Sequence, residues 1–366
     1  MALVPSFVDL LQPLAGVMTT PTFNNLVTIL TGWVFAWRRT VTGMIVAAQA
    51  VGVKHHSTFH RLFAQASWSL DSLGLVVFML IEPWLGDADH VIMLALDDTL
   101  ARKRGRKTFG VGMHHDPMLS TRKTAIMNWG HSWVVLSVIV KFPFCKKRYF
   151  ALPILFRLYL NKKAAAKHRR VVRTRPQLAV QMLNVLCSAC INRRFHVVAD
   201  STYGGQSVLN ELPANCDLTS RLLLDARLYD PPPTRKPGTN GRPLKRGRRL
   251  SSPRQMLAQR ARRIELDLYG RTDHVRLTDI EARVYTAPDR PLRIVAVEPL
   301  TGGRPMQAFY STCHNADAQQ VLIWYAMRWS IEVTFHDAKQ HLGFEQPQGW
   351  SRQVSRTHRP DGDAAV

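Results

Sequence analysis

VIMLALDDTL, residues 91–100, runs six apolar side chains into two carboxylates. Residues 91–96 are short and continuously apolar, the pattern of a strand buried on both faces. Asp97, Asp98 and Thr99 then stand at its carboxyl end, where open α/β sheets place their ligand sites. FHVVADSTYGG, residues 195–205, repeats the arrangement. Residues 195–199 read as a second short strand ending in Asp200. Gly204 and Gly205 break the chain, and residues 206–212 start a helix. Either aspartate alone is read most simply as a turn residue or a helix cap. Two strand-end carboxylates point to an α/β core with a shared acidic edge.

A third acidic position lies in WYAMRWSIEVTFHDAKQ, residues 324–340. At roughly 100° per residue, Tyr325, Arg328, Glu332 and Lys339 fall within an arc of about 60° on one helix. That face carries a carboxylate flanked by two cations and a phenol. Arg328 and Glu332, four residues apart, also fit an ordinary surface ion pair. The two upstream aspartates favour a joint site. Three carboxylates suit two magnesium ions for an in-line displacement at phosphorus. Arg, Lys and Tyr suit phosphate oxygens.

On these residues the chain resembles the DDE transposases of bacterial insertion sequences whose third acid lies in a Tyr-Arg-Glu-Lys motif, insertion-sequence families 4 and 701. The resemblance runs from about residue 22 to about residue 356, and includes GHSWVVLSVIV at 130–140 and PQGWSRQ at 347–353. It implies an RNase H-like core, a helical DNA-binding region before it, and a largely β insertion between the second Asp and the Glu. It also implies two divalent metal ions, magnesium or manganese, and cutting of transposon ends followed by joining to target DNA. Two protomers would pair two terminal inverted repeats, in the bacterial cytoplasm at the nucleoid. Carried over residue by residue, Asp200 is the second acid and Glu332 the third. The first is open between two neighbours. Asp98 is preferred because Thr99 follows it, as a small or hydroxylated residue follows the first Asp in relatives. Asp97 is the alternate, since only one of two adjacent strand residues points into the site. Tyr325, Arg328 and Lys339 match the phosphate-handling positions.

Composition agrees with a polyanionic partner. Lys and Arg number 49 against 26 Asp and Glu, a net charge of +23 and a pI near 10.5. Such a field attracts nucleic acid or an anionic surface. The longest apolar runs, such as residues 133–140, fall far short of the ~18–20 residues of a spanning helix. The N-terminus lacks the basic and long apolar regions of a signal peptide. Five cysteines, odd in number and irregularly spaced, read as reduced core thiols of a cytoplasmic protein.

Five stretches follow. Residues 1–85 read as a helical DNA-binding domain, with Ser57 or Thr58 capping a helix that carries His60 and Arg61. Residues 86–218 read as the first part of the core. They include the basic turn Arg102, Lys103, Arg104, Arg106 and Lys107, placed to meet phosphate beside the first acid. His114, His115 and Asp116 read as structural or DNA-contacting, because adjacent residues rarely converge on one metal. Residues 219–310 hold a basic arm and the β insertion. The stretch 230–263 has eleven Lys or Arg and one acid, and is broken by prolines. Its Arg242, Lys245, Arg246, Arg248 and Arg249 are candidates to lie along phosphates. Strand-like runs come next, at 275–287, 292–299 and 306–312. Asp200 and Glu332 are 132 residues apart, too long for one ordinary connection. Residues 311–350 return to the core. Residues 351–366 form a polar tail where the resemblance leads us to expect another apolar helix. The tail reads as a truncation or a shifted frame that would leave the copy poorly stable or inactive. A DNA-binding remnant that no longer cuts, or an RNase H-like nuclease, are the alternatives.

Overall fold

The computed structural model describes residues 5–346, except 88–89, 106–107, 122, 146–147, 235–241, 243, 269–270 and 302. The expected phosphate-binding roles of Arg106 and Lys107, part of the basic arm, and the tail after residue 346 therefore lie outside the described residues.

The chain begins with helices α1 (Pro5–Leu11), α2 (Thr20–Phe35), α3 (Val41–Ala47), α4 (His56–Ala64) and α5 (Leu70–Ile81). Ile29 of α2, Met44 of α3, and Phe59 and Leu62 of α4 share a buried cluster. The α2–α3 contact is backbone to backbone. A Cβ at Gly32 would lie 1.9 Å from the Met44 carbonyl oxygen, so only glycine fits there. α4 starts two residues earlier than a Ser57 cap would place it, and three earlier than a Thr58 cap. Its cap is His55, whose Nδ1 accepts from the Ser57 N–H. Arg157 of the core is buried and holds α5 through Asp71, at 2.8 Å from its Nη2.

The rest is a mixed sheet with helices on its faces. Its strands are β1 (Ile92–Arg102), β2 (Gly112–His115), β3 (Met127–Val140), β4 (Phe150–Tyr159), β5 (Phe195–Ala199), β6 (Cys216–Leu222), β7 (Leu228–Tyr229), β8 (Arg262–Leu268), β9 (Arg271–Val284), β10 (Ala287–Pro299) and β11 (Gln307–Ser311). Their order is β2-β3-β1-β5-β6-β11-β10-β9-β7, with β4 also on β3 and β8 on β9. β1 is antiparallel to β3 and parallel to β5, and β5 is parallel to β6. The strands after β6 join the same sheet, through antiparallel pairing of β11 with β6. The helices are α6 (Lys162–Lys167), α7 (Arg175–Ala189), α8 (Gln206–Leu209), α9 (Pro253–Arg260), α10 (Ala318–Met327) and α11 (Trp329–Gln340). Among the described residues, no helix is long and apolar enough to cross a membrane. All five cysteines are free thiols.

All five residues of β5 are buried, and His196, the polar one among them, has the Thr219 hydroxyl 2.7 Å from its Nε2. One face of the sheet packs on α7, where Leu94, Leu96, Val197, Leu178 and Met182 share a core. The other face packs on α11, where Ala95, Val198 and Ile331 meet. Even-numbered β1 residues therefore face α7, and odd-numbered ones face α11.

Two element boundaries differ from the expectation. β1 does not stop at Leu96 but continues through both aspartates to Arg102, because the long β3 keeps pairing with it, from Asp97↔Val135 to Arg102↔Gly130. Only β5 stops there, at Ala199 opposite Leu96. α8 is a single turn that ends at Leu209, short of residue 212.

Candidate active site

Asp97 lies on the odd face of β1. Its Oδ2 accepts from Arg328 Nη1 at 2.8 Å, and Arg328 Nη2 donates to Glu332 Oε1 at 2.5 Å. One guanidinium thus ties β1 to α11 across 231 residues of sequence. Arg328 is the joint between α10 and α11. Its N–H bonds to the Tyr325 carbonyl and its own carbonyl accepts from the Ile331 N–H, both at 3.1 Å. These three-residue spacings tighten the helix for one turn, so the single smooth helix expected over 324–340 is two helices meeting at Arg328. The Arg328 guanidinium lies 5.5 Å from the Tyr325 ring centre, and that ring packs 4.5 Å from Phe309.

Asp200 comes directly after Ala199, the partner of Leu96, and so stands beside Asp97 across the parallel pair. Its Oδ1 accepts from the Thr202 N–H at 2.9 Å and its Oδ2 from the Thr202 hydroxyl at 3.2 Å. Ser220 of β6 donates to its carbonyl at 2.8 Å. This local turn fixes the carboxylate at the end of β5.

Burial, together with the charges of Asp200 and Asp98, pushes the Asp97 carboxyl up to about 7, against the pull of Arg328. Burial works against the Arg328 charge too, but Tyr325, Asp97 and Glu332 outweigh it and hold the guanidinium more firmly protonated than usual.

Asp98 faces the other way. Its Oδ1 accepts from the fully buried Tyr203 hydroxyl at 2.9 Å, and Arg175 Nε stands 3.2 Å from its Oδ2. Arg175 also lies over the Tyr159 ring at 4.4 Å and donates to the Ser132 hydroxyl at 3.1 Å. Burial pushes the Asp98 carboxyl up as well, despite Arg175 and Tyr203. The structure thus brings Asp97, Asp200, Arg328, Glu332 and Tyr325 together and leaves Asp98 on the α7 side. Sequence patterns alone did not single out Tyr203 and Arg175. A cation at the first residue of α7 opposes the helix dipole, a sign that it has an anionic partner elsewhere.

Lys339 sits about two turns further along α11, with Glu345, Arg102 and Asp116 as its charged neighbours, and burial lowers its pKa. Arg102 Nε binds Asp116 at 2.7 Å, and Asn128 donates to the same carboxylate at 2.8 Å. Although burial opposes it, these bonds hold Asp116 down at about 2. Arg102 is therefore a structural partner of Asp116, and its N–H is taken by Glu345 at 3.0 Å. Lys103 is half-buried, and Arg104 is exposed. His114 is buried within β2 while His115 points outward, so the trio with Asp116 does not converge.

The described part of the basic arm lies by the far end of the sheet. The Arg246 guanidinium stacks 3.5 Å from the Tyr285 ring centre and 5.5 Å from that of Tyr229. Arg248 stands 3.3 Å from Asp230, and Arg249 bridges to Tyr229. Arg242 and Lys245 are exposed.

Among the described residues, no three His, Cys, Asp or Glu side chains are gathered closely enough to hold a metal ion as they stand. The donor chemistry nonetheless fits a hard divalent cation. Asp97, Asp200 and Glu332 offer carboxylate oxygens, the ligands such a cation takes, and burial first, then the charges of Asp200 and Asp98, hold the Asp97 carboxyl up. Arg328 supplies positive charge there.

A carboxylate beside a strand end, faced by a helical Glu and Arg on a basic protein, marks the class of enzymes that work on phosphodiesters. The chain belongs to the DDE superfamily endonucleases, whose family model matches residues 13–282. Asp97, Asp98 and Asp200 lie inside the match, whereas Tyr325, Arg328, Glu332 and Lys339 lie beyond it. No curated protein matches the chain.

Proposed function

We propose that this chain is a DNA transposase of the insertion-sequence kind, with an RNase H-like core, that cuts transposon ends and joins them to target DNA. The observation that carries the reading is the Arg328 bridge, which brings Glu332 of α11 to Asp97 of β1, beside Asp200. The strand order β4-β3-β1-β5-β6 supports the core assignment: three antiparallel strands, then two parallel ones, with helices on both faces.

Asp97, Asp200 and Glu332 are the three acids in this reading. Asp97 takes the first position in place of the preferred Asp98, because odd-numbered β1 residues face α11. These carboxylates would hold magnesium or manganese ions, which when bound supply positive charge at the attacking and leaving oxygens. Arg328 offers a planar fork to the scissile phosphate, and Tyr325 backs it with its ring. Lys103, Arg104 and Lys339 meet the strand further along, and Arg242, Lys245, Arg246, Arg248 and Arg249 hold backbone phosphates near β7. The N-terminal helices suit the same partner: residues 10–70 contain no Asp or Glu, and Lys54, His55, His56, His60 and Arg61 are exposed on and before α4. Two protomers would pair two ends, in the cytoplasm at the nucleoid.

The test is cleavage of a duplex carrying the element's terminal repeat, in magnesium, by the full chain. Asp97→Asn, Asp200→Asn and Glu332→Gln should each fall to background while still binding DNA. Asp98→Asn should keep most of the rate. Parental cleavage by Asp97→Asn would overturn the assignment.

A further inference from the structure

We propose that in the DNA-free protein Arg328 is the resident counter-ion of Asp97 and Glu332, and that it leaves them for a DNA phosphate, so that DNA must bind before the divalent cations load. This deepens the proposed function and rests on its three acids.

Four observations lead to it. Both Arg328 Nη atoms are spent on the two carboxylates, at 2.8 and 2.5 Å. The guanidinium and the Asp97 carboxylate are mostly shielded, at 15% and 16% side-chain exposure, so charges there are weakly screened. A guanidinium and a divalent cation compete for the same carboxylates, because like charges in contact in a shielded site repel strongly. Finally, Arg328 Nε is buried without a hydrogen-bond partner. The resting position therefore leaves one donor unsatisfied, a cost that a phosphate oxygen would remove.

A phosphate competes well for this side chain. It offers two or more acceptor oxygens to the planar fork, and its charge draws Arg328 off carboxylates that are themselves crowded by Asp200. Release of Arg328 frees Asp97 and Glu332 together. The joint position of Arg328 between α10 and α11 allows the side chain to turn without moving either helix's buried residues, Val321 and Leu322 on one and Ile331 on the other. By linkage, DNA and metal then raise each other's affinity.

The first arm of the test titrates Mn²⁺ into the full chain without DNA, following free Mn²⁺ by electron paramagnetic resonance. Arg328→Gln should bind Mn²⁺ about tenfold or more tightly than the parent, since one adjoining positive charge is gone. Arg328→Lys, which keeps a charge but cannot span both carboxylates, should show a smaller gain. Adding Asp97→Asn to Arg328→Gln should erase the gain. The second arm replaces Mn²⁺ with Fe²⁺ and peroxide, which cut the polypeptide where the ion sits. The parent should be cut beside residues 97, 200 and 332 only when duplex is present, and Arg328→Gln with or without it. Equal or weaker Mn²⁺ binding by Arg328→Gln would overturn the proposal, as would parental cutting that ignores duplex. If Arg328→Gln unfolds in a thermal melt, absence of any gain in Arg328→Lys overturns it alone. Either failure with magnesium-dependent DNA cleavage intact would leave the proposed function standing. Mn²⁺ binding indifferent to Asp97, Asp200 and Glu332 would remove both.

Discussion

Asp97 and Asp98 are neighbours in the chain and face opposite sides of the sheet, one bonded to Arg328 of the α10–α11 joint and the other to Tyr203 and Arg175. The pair makes β1 a two-sided element. One carboxylate is presented to the proposed reaction, and the other anchors the strand to α7.

The anchor predicts a stability effect separate from chemistry. Arg175→Met leaves Asp98 buried with only Tyr203, and should cost about 2 kcal/mol in urea unfolding. Combining it with Asp98→Asn should cost clearly less than the sum of the two, because each single change strands the other's partner. Strict additivity would show that the two residues do not act together.

Asp97 predicts a pH dependence of stability. Its carboxyl is raised from 3.8 to about 7 in the folded chain. The folded state therefore keeps its proton where the unfolded chain has lost it, and stability declines as pH rises from near 3.8 to about 7. Asp97→Asn removes that loss while giving up the bond to Arg328. Relative to the parent, the variant should gain stability between about pH 4 and about pH 7, by at most about 4 kcal/mol from a shift of about three units. A constant difference between parent and variant in urea melts across that range would count against the buried charge.

Asp116 predicts the opposite sign. Its carboxyl is held down at about 2, below its ordinary 3.8, so its contribution is present above 3.8 and lost as pH falls through about 2. Asp116→Asn should lower stability at neutral pH by about 2 kcal/mol, since it weakens the bonds to Arg102 and Asn128. It should also blunt acid unfolding in that window, measured by circular dichroism against pH.

The arm predicts a salt effect. Replacing Lys245, Arg246, Arg248 and Arg249 by Ala should weaken binding to every DNA sequence. It should also reduce the slope of log affinity against log salt by roughly one for each phosphate that is no longer neutralised. An unchanged slope in fluorescence anisotropy would make the segment a spectator.

The sequence alone determined the local periods. Apolar runs located β1 and β5, β-branched runs located β9, β10 and β11, and the order of the acidic positions along the chain could be read directly. Those features depend on residues a few positions apart, which is what a sequence displays. Other features depend on partners far away in the chain. Alternation required Asp97 and Asp98 to diverge, but which of them faces Glu332 was set by Ile331 packing on Ala95 and Val198. β1 runs past its aspartates because β3, a separate strand later in the chain, keeps pairing with it. Arg102 reads in the sequence only as part of a basic turn; its Nε pairing with Asp116 and its N–H bond to Glu345 come from residues 14 and 243 positions away. Strand register, helix side and ion-pair choice are settled by long-range packing, because each local pattern is compatible with more than one neighbour and only burial selects among them.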